Sequence, residues 1–280
     1  MQFGLSMFIT DETIAPVALG RAAEDAGFDA LFVPEHTHIP ASRESAWPGG
    51  DELPREYSHT LDPFVALSAI AATTERLRVG TGIALIVERD PITLAHEAAT
   101  LDHVSGGRFE LGIGAGWNLE EMRNHGTDPA TRFRVMRERV LAMREIWTRE
   151  EASFHGEFVD FDRIWCWPKP VQRPHLPVLV GGTGPHVLDR VLEYGDAWFP
   201  NMRDLDELAT RIAELQRRAA GAGRDRIPVT YFGARDPDDA MVEKMAAAGV
   251  DRVLFMLPPL GADETLPRLE RYAELAARHR

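Results

Sequence analysis

The sequence predicts an α/β fold in which parallel strands alternate with helices and close into a barrel. Three observations carry this. Eight short apolar runs recur at even spacing, a helix-patterned stretch follows each, and glycine-rich or polar segments gather just after the runs. The runs are Phe3–Phe8, Ala30–Val33, Leu77–Leu85, Phe109–Ile113, Val178–Val180, Ala197–Phe199, Val229–Phe232 and Val253–Leu257. They are continuously hydrophobic rather than alternating, as strands covered on both faces are. Eight strand–helix units make a (β/α)8 TIM barrel, whose active sites lie at the C-terminal strand ends. A chain of 280 residues is close to the roughly 250 such a barrel takes. One domain over residues 1–280 is therefore expected.

The punctuation between runs supports the alternation. Asp62-Pro63, Asp90-Pro91, Asp128-Pro129 and Asp236-Pro237 each precede a helical pattern. Aspartate accepts from the free N–H groups of a first turn, and proline suits the first helical position. Gly27, Gly107, Gly195, Gly221 and Gly249 fall where helices should end, as residues that adopt a left-handed conformation readily. A turn repeats at Ala26–Phe32, Tyr194–Phe199 and Ala248–Leu254, each time carrying helix into strand. Two insertions exceed what the barrel needs. Thr37–Leu61, after the second strand, is a candidate lid on the catalytic face. Glu150–His175, before the fifth strand, contains a hairpin-like Ser153–Phe158 and the stiff Pro168-Lys169-Pro170. Loops of this length are usually functional or disordered.

Composition narrows the function. A net charge of −13 argues against nucleic acid, whose phosphates call for a basic surface. No apolar run reaches the roughly 20 residues that cross a bilayer, and Met1–Thr10 lacks the basic start of a signal peptide. With a lone Cys166, a reducing cytoplasm is the expected compartment. Lys169 and Lys244 are the only lysines and neither follows a strand. Schiff-base and lysine-bridged metal chemistry thus lack their residue.

Four strand ends carry candidate chemistry. Gly181-Gly182-Thr183-Gly184 lies between the fifth strand and its helix, where backbone N–H groups can meet an anion, unless it is merely a tight turn. Gly112–Asn118 ends the fourth strand; its glycines would let a flat ring approach, with Trp117 stacking and Asn118 offering an amide. Core packing is the other reading of Trp117. Gly80-Thr81-Gly82-Ile83 breaks the third strand, as glycine does where a backbone is approached closely. Pro34-Glu35-His36-Thr37-His38 follows the second. Histidines two apart on an extended segment point oppositely, so no metal is expected. His36 at a barrel mouth suits proton transfer instead.

Taken together, these strand ends resemble the luciferase-like flavin and deazaflavin oxidoreductases, especially members using coenzyme F420. The residues that carry the resemblance are Glu97–Asp102 with Ser105–Phe109, Gly112–Trp117, Phe154–Glu157, Pro168–Pro174, Val180–Gly182 and Gly195–Trp198. It covers essentially the whole chain and implies a flavin-like ring at the C-terminal mouth. By that likeness Gly82-Ile83 is a non-proline cis peptide against the ring, with Thr81 beside it. His36 matches a ring-adjacent catalytic histidine, and Glu35 stands where relatives often carry aspartate. Gly116, Trp117 and Asn118 surround the ring; Gly181, Gly182 and Thr183 take its phosphate; Asn201 approaches it after the sixth strand. Trp117 departs from the glutamate of sugar-phosphate dehydrogenases, which puts their reaction in doubt here.

The expected function is F420-dependent hydride transfer to or from a small organic substrate, with His36 moving the proton. The acidic tail of F420 calls for arginines, and Arg43, Arg55 and Arg132 are the candidates. Trp47, Tyr57 and Trp198 suggest a pocket for an apolar or planar compound, or simply packing. A homodimer is expected from the resemblance. The alternatives are an FMN-dependent monooxygenase using oxygen, a binding barrel without cofactor, and a metal hydrolase.

Overall fold

In the computed structural model, which describes residues 1–280, strands and helices alternate along most of the chain. They are β1 (Gln2–Ser6), α1 (Pro16–Asp25), β2 (Ala30–Val33), α2 (Pro63–Ala71), β3 (Arg78–Thr81), β4 (Ala84–Leu85), α3 (Pro91–Val104) and β5 (Phe109–Gly114). Then come α4 (Leu119–Asn124), α5 (Arg132–Thr148), β6 (Ala152–His155), β7 (Asp160–Ile164), β8 (Val178–Gly181), α6 (Val187–Tyr194) and β9 (Ala197–Phe199). The chain finishes with α7 (Leu205–Gly221), β10 (Thr230–Ala234), α8 (Asp239–Ala248), β11 (Arg252–Met256) and α9 (Ala262–Arg278).

The parallel strands run side by side in the order β10, β11, β1, β2, β3, β5, β8, β9, and β4 continues the third stave by pairing with β5. The ring closes between β9 and β10, through a parallel bridge of Trp198 with Val229 and a 2.8 Å hydrogen bond from Phe232 N–H to the Pro200 carbonyl. This is the TIM barrel. The continuous hydrophobicity of its strands has a simple cause. Alternate residues point outward into a core of 63 residues shared with the helices, while Ala30, Phe32, Leu179, Ala197, Phe199 and Leu254 fill the interior.

The interior has two unlike ends. At the N-terminal end Glu110 lies between Arg78 and Arg252. Burial alone would raise its pKa, but the two guanidinium groups hold it below the usual carboxylate value. That triad plugs the base. Towards the C-terminal end the interior residues Ile83, Gly181 and Phe232 are partly exposed, so the barrel opens there.

The local punctuation is partly as expected. Asp62 and Asp90 cap α2 and α3 by accepting from Val65 N–H at 3.0 Å and Thr93 N–H at 2.8 Å. Asp128 caps no long helix; it bonds Ala130 N–H in the turn before α5. Asp236 is not the cap of α8 either: Asp238 is, through Met241 N–H at 2.8 Å. Gly27, Gly107 and Gly249 have φ of +81°, +85° and +90°. Gly195 instead is extended at φ −96°, and Gly223, not Gly221, takes the left-handed turn after α7.

The third apolar run divides into β3 and β4 around a cis Gly82-Ile83 peptide. The second insertion forms the antiparallel hairpin β6–β7. The first insertion, residues 37–61, is pinned at its far end by Leu61 N–H to Ile9 carbonyl at 2.9 Å and a bridge of Thr10 with Thr60. No helix is long and apolar enough to cross a membrane.

Candidate active site at the C-terminal mouth

β2 delivers His36 to the rim, where it is 9% exposed. Its Nδ1 lies 2.7 Å from Glu121 Oε2. Glu121 sits in the first turn of α4 and is fully buried. Burial pushes its carboxyl up. The hydrogen bond from His36, together with those from Thr37 N–H at 2.9 Å and His38 N–H at 3.4 Å, more than offsets this and holds it below its ordinary value. Glu121 therefore stays a carboxylate and accepts the Nδ1 proton.

The other ring nitrogen, Nε2, faces the indole N–H of Trp117 at 3.3 Å. An indole N–H only donates, so Nε2 carries the lone pair. The network fits the Nδ1–H tautomer of His36, with the Nε2 lone pair turned to the indole and placed to accept a proton. A 3.3 Å bond is long for N–H donation, and a substrate hydroxyl could replace it.

Around this pair stands an aromatic wall. Tyr57 lies 5.3 Å from His36, 4.7 Å from Phe8, 5.7 Å from Trp47 and 6.3 Å from Trp117, centroid to centroid. The insertion that supplies Trp47 and Tyr57 is held down by Glu120, whose carboxylate accepts from Ser42 Oγ at 2.8 Å, Glu44 N–H at 2.8 Å and Ser45 N–H at 2.7 Å. Hydrogen bonding to the Ser45 side chain first, then to Ser42 and to the Glu44 and Ser45 amides, pulls its pKa down to about 2.

The floor of the mouth is a cradle for something flat. A Cβ on Gly114 would lie 2.6 Å from Ile83 Cδ1, and one on Gly181 would lie 3.0 Å from Ile83 Cγ2. Ile83 thus occupies a seat that exists only because both neighbours lack side chains, and it remains partly exposed. Ser6 on β1 adds a buried hydroxyl with no partner. Beyond β8, Gly182 has φ +111°, and Arg211 ties the loop by bonding the carbonyls of Thr183 at 2.5 Å and Gly184 at 2.9 Å. A planar ring with a phosphate on one side fits these residues.

The structure sorts the expected site residues. His36, Gly82, Ile83, Gly116, Trp117, Asn118, Gly181, Gly182, Thr183 and Asn201 all lie at or just beyond the C-terminal strand ends. Asn118 has its carbonyl committed to capping α4 through Glu121 N–H at 3.1 Å, leaving only its amide nitrogen for a ligand. Two residues are differently employed. The Glu35 carboxylate is taken by Leu85 N–H at 2.6 Å and Arg89 Nε at 2.7 Å, so it anchors the segment behind Ile83 rather than facing the mouth. Thr81 is buried and its hydroxyl donates to the Gly112 carbonyl at 2.7 Å, tying β3 to β5.

Trp198 does not join Trp47 and Tyr57. It packs outward, fully buried, and its indole donates to the Gly182 carbonyl at 3.0 Å. Of the candidate arginines, Arg55 is already paired with Glu12 at 2.5 Å, Arg43 is exposed on the insertion, and Arg132 begins α5.

Sequence reasoning missed Glu121. Its signal was present: Asn118 and Glu121 have capping-box spacing, in which the glutamate would turn back on its own helix. Here it reaches His36 instead.

A family model described as luciferase-like monooxygenase matches residues 12–280. An uncharacterized protein of Mycobacterium tuberculosis is 45% identical over 277 residues, covering 98% of both chains. The F420-dependent hydroxymycolic acid dehydrogenase of the same species is 29% identical over 266 residues, covering 92% of this chain and 68% of its own. Among solved structures, the monooxygenase RslO1 from Streptomyces bottropensis superposes with a TM-score of 0.82 at 20% identity, covering 100% of this chain and 99% of its own.

Proposed function

The chain belongs to the luciferase-like monooxygenase family, and on that premise we propose an oxidoreductase that uses coenzyme F420 to move a hydride to or from a small organic substrate. The observation that carries the reading is the pairing of His36 with Glu121 at the same mouth as the Ile83 cradle. The name of the mycobacterial dehydrogenase supports the choice of cofactor.

In this proposal Gly82, Ile83, Gly116, Trp117 and the Asn118 amide bound the ring. Gly181, Gly182 and Thr183 receive the phosphate, and Asn201 flanks it. When bound, the deazaflavin supplies hydride acceptance or donation. The chain supplies the rest. In the oxidising direction a substrate hydroxyl would displace the Trp117 indole and give its proton to His36 Nε2. Glu121 steadies the resulting imidazolium through Nδ1–H. In the reducing direction the proton returns from Nε2. The aromatic insertion keeps water from the reacting atoms. Glu35 and Thr81 act behind the cradle, holding the third stave.

The lone Cys166 supports a reducing, cytoplasmic location. A homodimer is proposed on the family likeness alone.

Titrating the purified protein with F420 and with FMN tests the reading. Preference for F420 is expected. Preference for FMN would move the protein to the monooxygenase reading, and binding of neither by the folded barrel would make it a binding protein.

A further inference from the structure

Beside the dyad lies a second pair of histidines that the hydride chemistry does not use. His38, two residues beyond His36, and His125, at the C-cap of α4, stand with ring centroids 5.4 Å apart. Both reach the hydroxyl of Thr37: His125 Nε2 lies 2.7 Å from Oγ1, and His38 Nδ1 lies 2.9 Å from it. The same hydroxyl stands 3.3 Å from Glu121 Oε1, the carboxylate oxygen that does not face His36. Thr37 is exposed, whereas Glu121 is fully buried. One hydroxyl therefore joins a histidine pair at the surface to the buried half of the dyad.

A hydroxyl has one proton to give and two lone pairs with which to accept. Around Thr37 these roles are constrained. Asn124 Nδ2 faces His38 Nε2 at 2.9 Å. An amide NH2 donates, so His38 fits the tautomer that carries its proton on Nδ1 and donates to Thr37. Glu121, as a carboxylate, only accepts. The Thr37 proton is left with two destinations, His125 Nε2 and Glu121 Oε1. A neutral His125 can accept it, at the shorter distance. A charged His125 carries a proton on both ring nitrogens. Its Nε2 then donates, fills the second lone pair of Oγ1 and leaves Glu121 as the acceptor.

No ionised carboxylate closer to His125 fixes its charge. Glu88 Oε2 is 3.9 Å from Nε2, but burial first, then the charges of Glu121 and Glu35, push that carboxyl up to about 9, so it is protonated at neutral pH. Glu35 is held by Arg89. Burial first, then the charge of His38, press His125 below the ordinary histidine value of 6.5; Arg89 adds to this, against the pull of Glu121 and Glu35. His125 is thus neutral at pH 7 and gains its proton on the acid side.

We propose that Thr37 is a positioning residue of the dyad, whose hydroxyl turns from His125 to Glu121 when His125 becomes charged. With that extra donor Glu121 is a weaker partner for a protonated His36, so the charge of a surface histidine sets the strength of the buried base. This rests on the reading of His36 and Glu121 as the groups that handle the proton.

The test follows the imidazole resonances of His125 by NMR in the full chain, between about pH 5 and pH 8, the range of histidine titration. It compares Thr37, Thr37→Ser and Thr37→Val, each with and without Glu121→Gln. Melting curves check that each variant folds. With Thr37 in place, Glu121→Gln is expected to lower the His125 midpoint by about half a pH unit or more, the scale of one hydrogen bond. Thr37→Ser should preserve that response, and Thr37→Val should cut it by more than half. An equal response in all three backgrounds would mean that charge acts through space, and would overturn the proposal. A His125 midpoint that ignores Glu121 would overturn it too. No cofactor or turnover enters this measurement, so normal turnover of His36→Ala would overturn the proton-transfer reading and leave the coupling standing.

Discussion

His36 and Glu121, 85 positions apart in sequence, meet through a 2.7 Å hydrogen bond between Nδ1 and Oε2. The bond makes the histidine a base at its other nitrogen and sets the plane in which that nitrogen meets a substrate. The chemistry is divided between a strand end and a helix that starts immediately after another strand.

Replacing Glu121 with Gln keeps the volume but removes the charge that stabilises a protonated His36. The amide can also donate, which favours the wrong tautomer. Turnover at saturating cofactor is expected to fall by about 10²–10⁴-fold, with little change in cofactor dissociation constant. His36→Ala should behave alike, and the double variant should lose no more than the worse single one. Steady-state kinetics beside a binding titration separates the two effects; normal turnover in either variant would remove the dyad from the mechanism.

Gly181→Ala tests the cradle. The new Cβ would stand 2.9 Å from the Ile113 carbonyl oxygen and 3.0 Å from Ile83 Cγ2, so backbone or Ile83 must give way. Overpacking of this kind costs about 1–3 kcal/mol. The variant should melt lower and bind cofactor at least about tenfold more weakly. Gly184→Ala, whose Cβ meets nothing within 4 Å, is the control and should do neither.

The contrast between these positions shows what a sequence reveals of such a site. Strands were legible because residues such as Leu31 and Phe32 are both buried, one against helices and one inside the ring. The glycines at 114 and 181 were legible as a cluster at strand ends, where they make room for Ile83. Side-chain direction was not. Thr81 and Trp198 sit in the expected strands, but their side chains bond within the wall of the barrel and away from the mouth. Glu35 was placed correctly along the chain, yet Arg89, 54 positions on, claims it. Glu121 was hidden because its partner is distant and its spacing to Asn118 already had a local explanation.

Glu120 controls the insertion. Its carboxylate, held near 2, gathers Ser42, Glu44 and Ser45. Since the folded pKa is depressed, this clamp is complete above the ordinary carboxylate value of 4.5 and is lost as pH falls towards 2. Glu120→Ala should release the loop at neutral pH. Hydrogen exchange at the Glu44 and Ser45 amides is expected to accelerate strongly, while amides in β1 and β11 keep their protection. Unchanged exchange would mean that the aromatic contacts of Trp47 and Tyr57 suffice.

Glu88 is the opposite case. Its two oxygens are buried with no hydrogen-bond partner, and His125 Nε2 approaches no closer than 3.9 Å. Burial first, then the nearby charges of Glu121 and Glu35, push its carboxyl up to about 9 from an ordinary 4.5. The folded protein thus holds a proton that the unfolded chain has released at neutral pH. The contribution is fully present below 4.5 and is lost as pH rises through 9. Over that window the protein should lose stability with a slope of at most about 1.4 kcal/mol per pH unit from this group. Glu88→Gln carries an amide that never ionises, so its stability should fall less steeply than the wild type's between pH 6 and pH 9 (about three units of the window). Chemical denaturation at a series of pH values measures both slopes. Parallel curves would mean that Glu88 is ionised in the native state, and that a counter-charge or water stabilises it there.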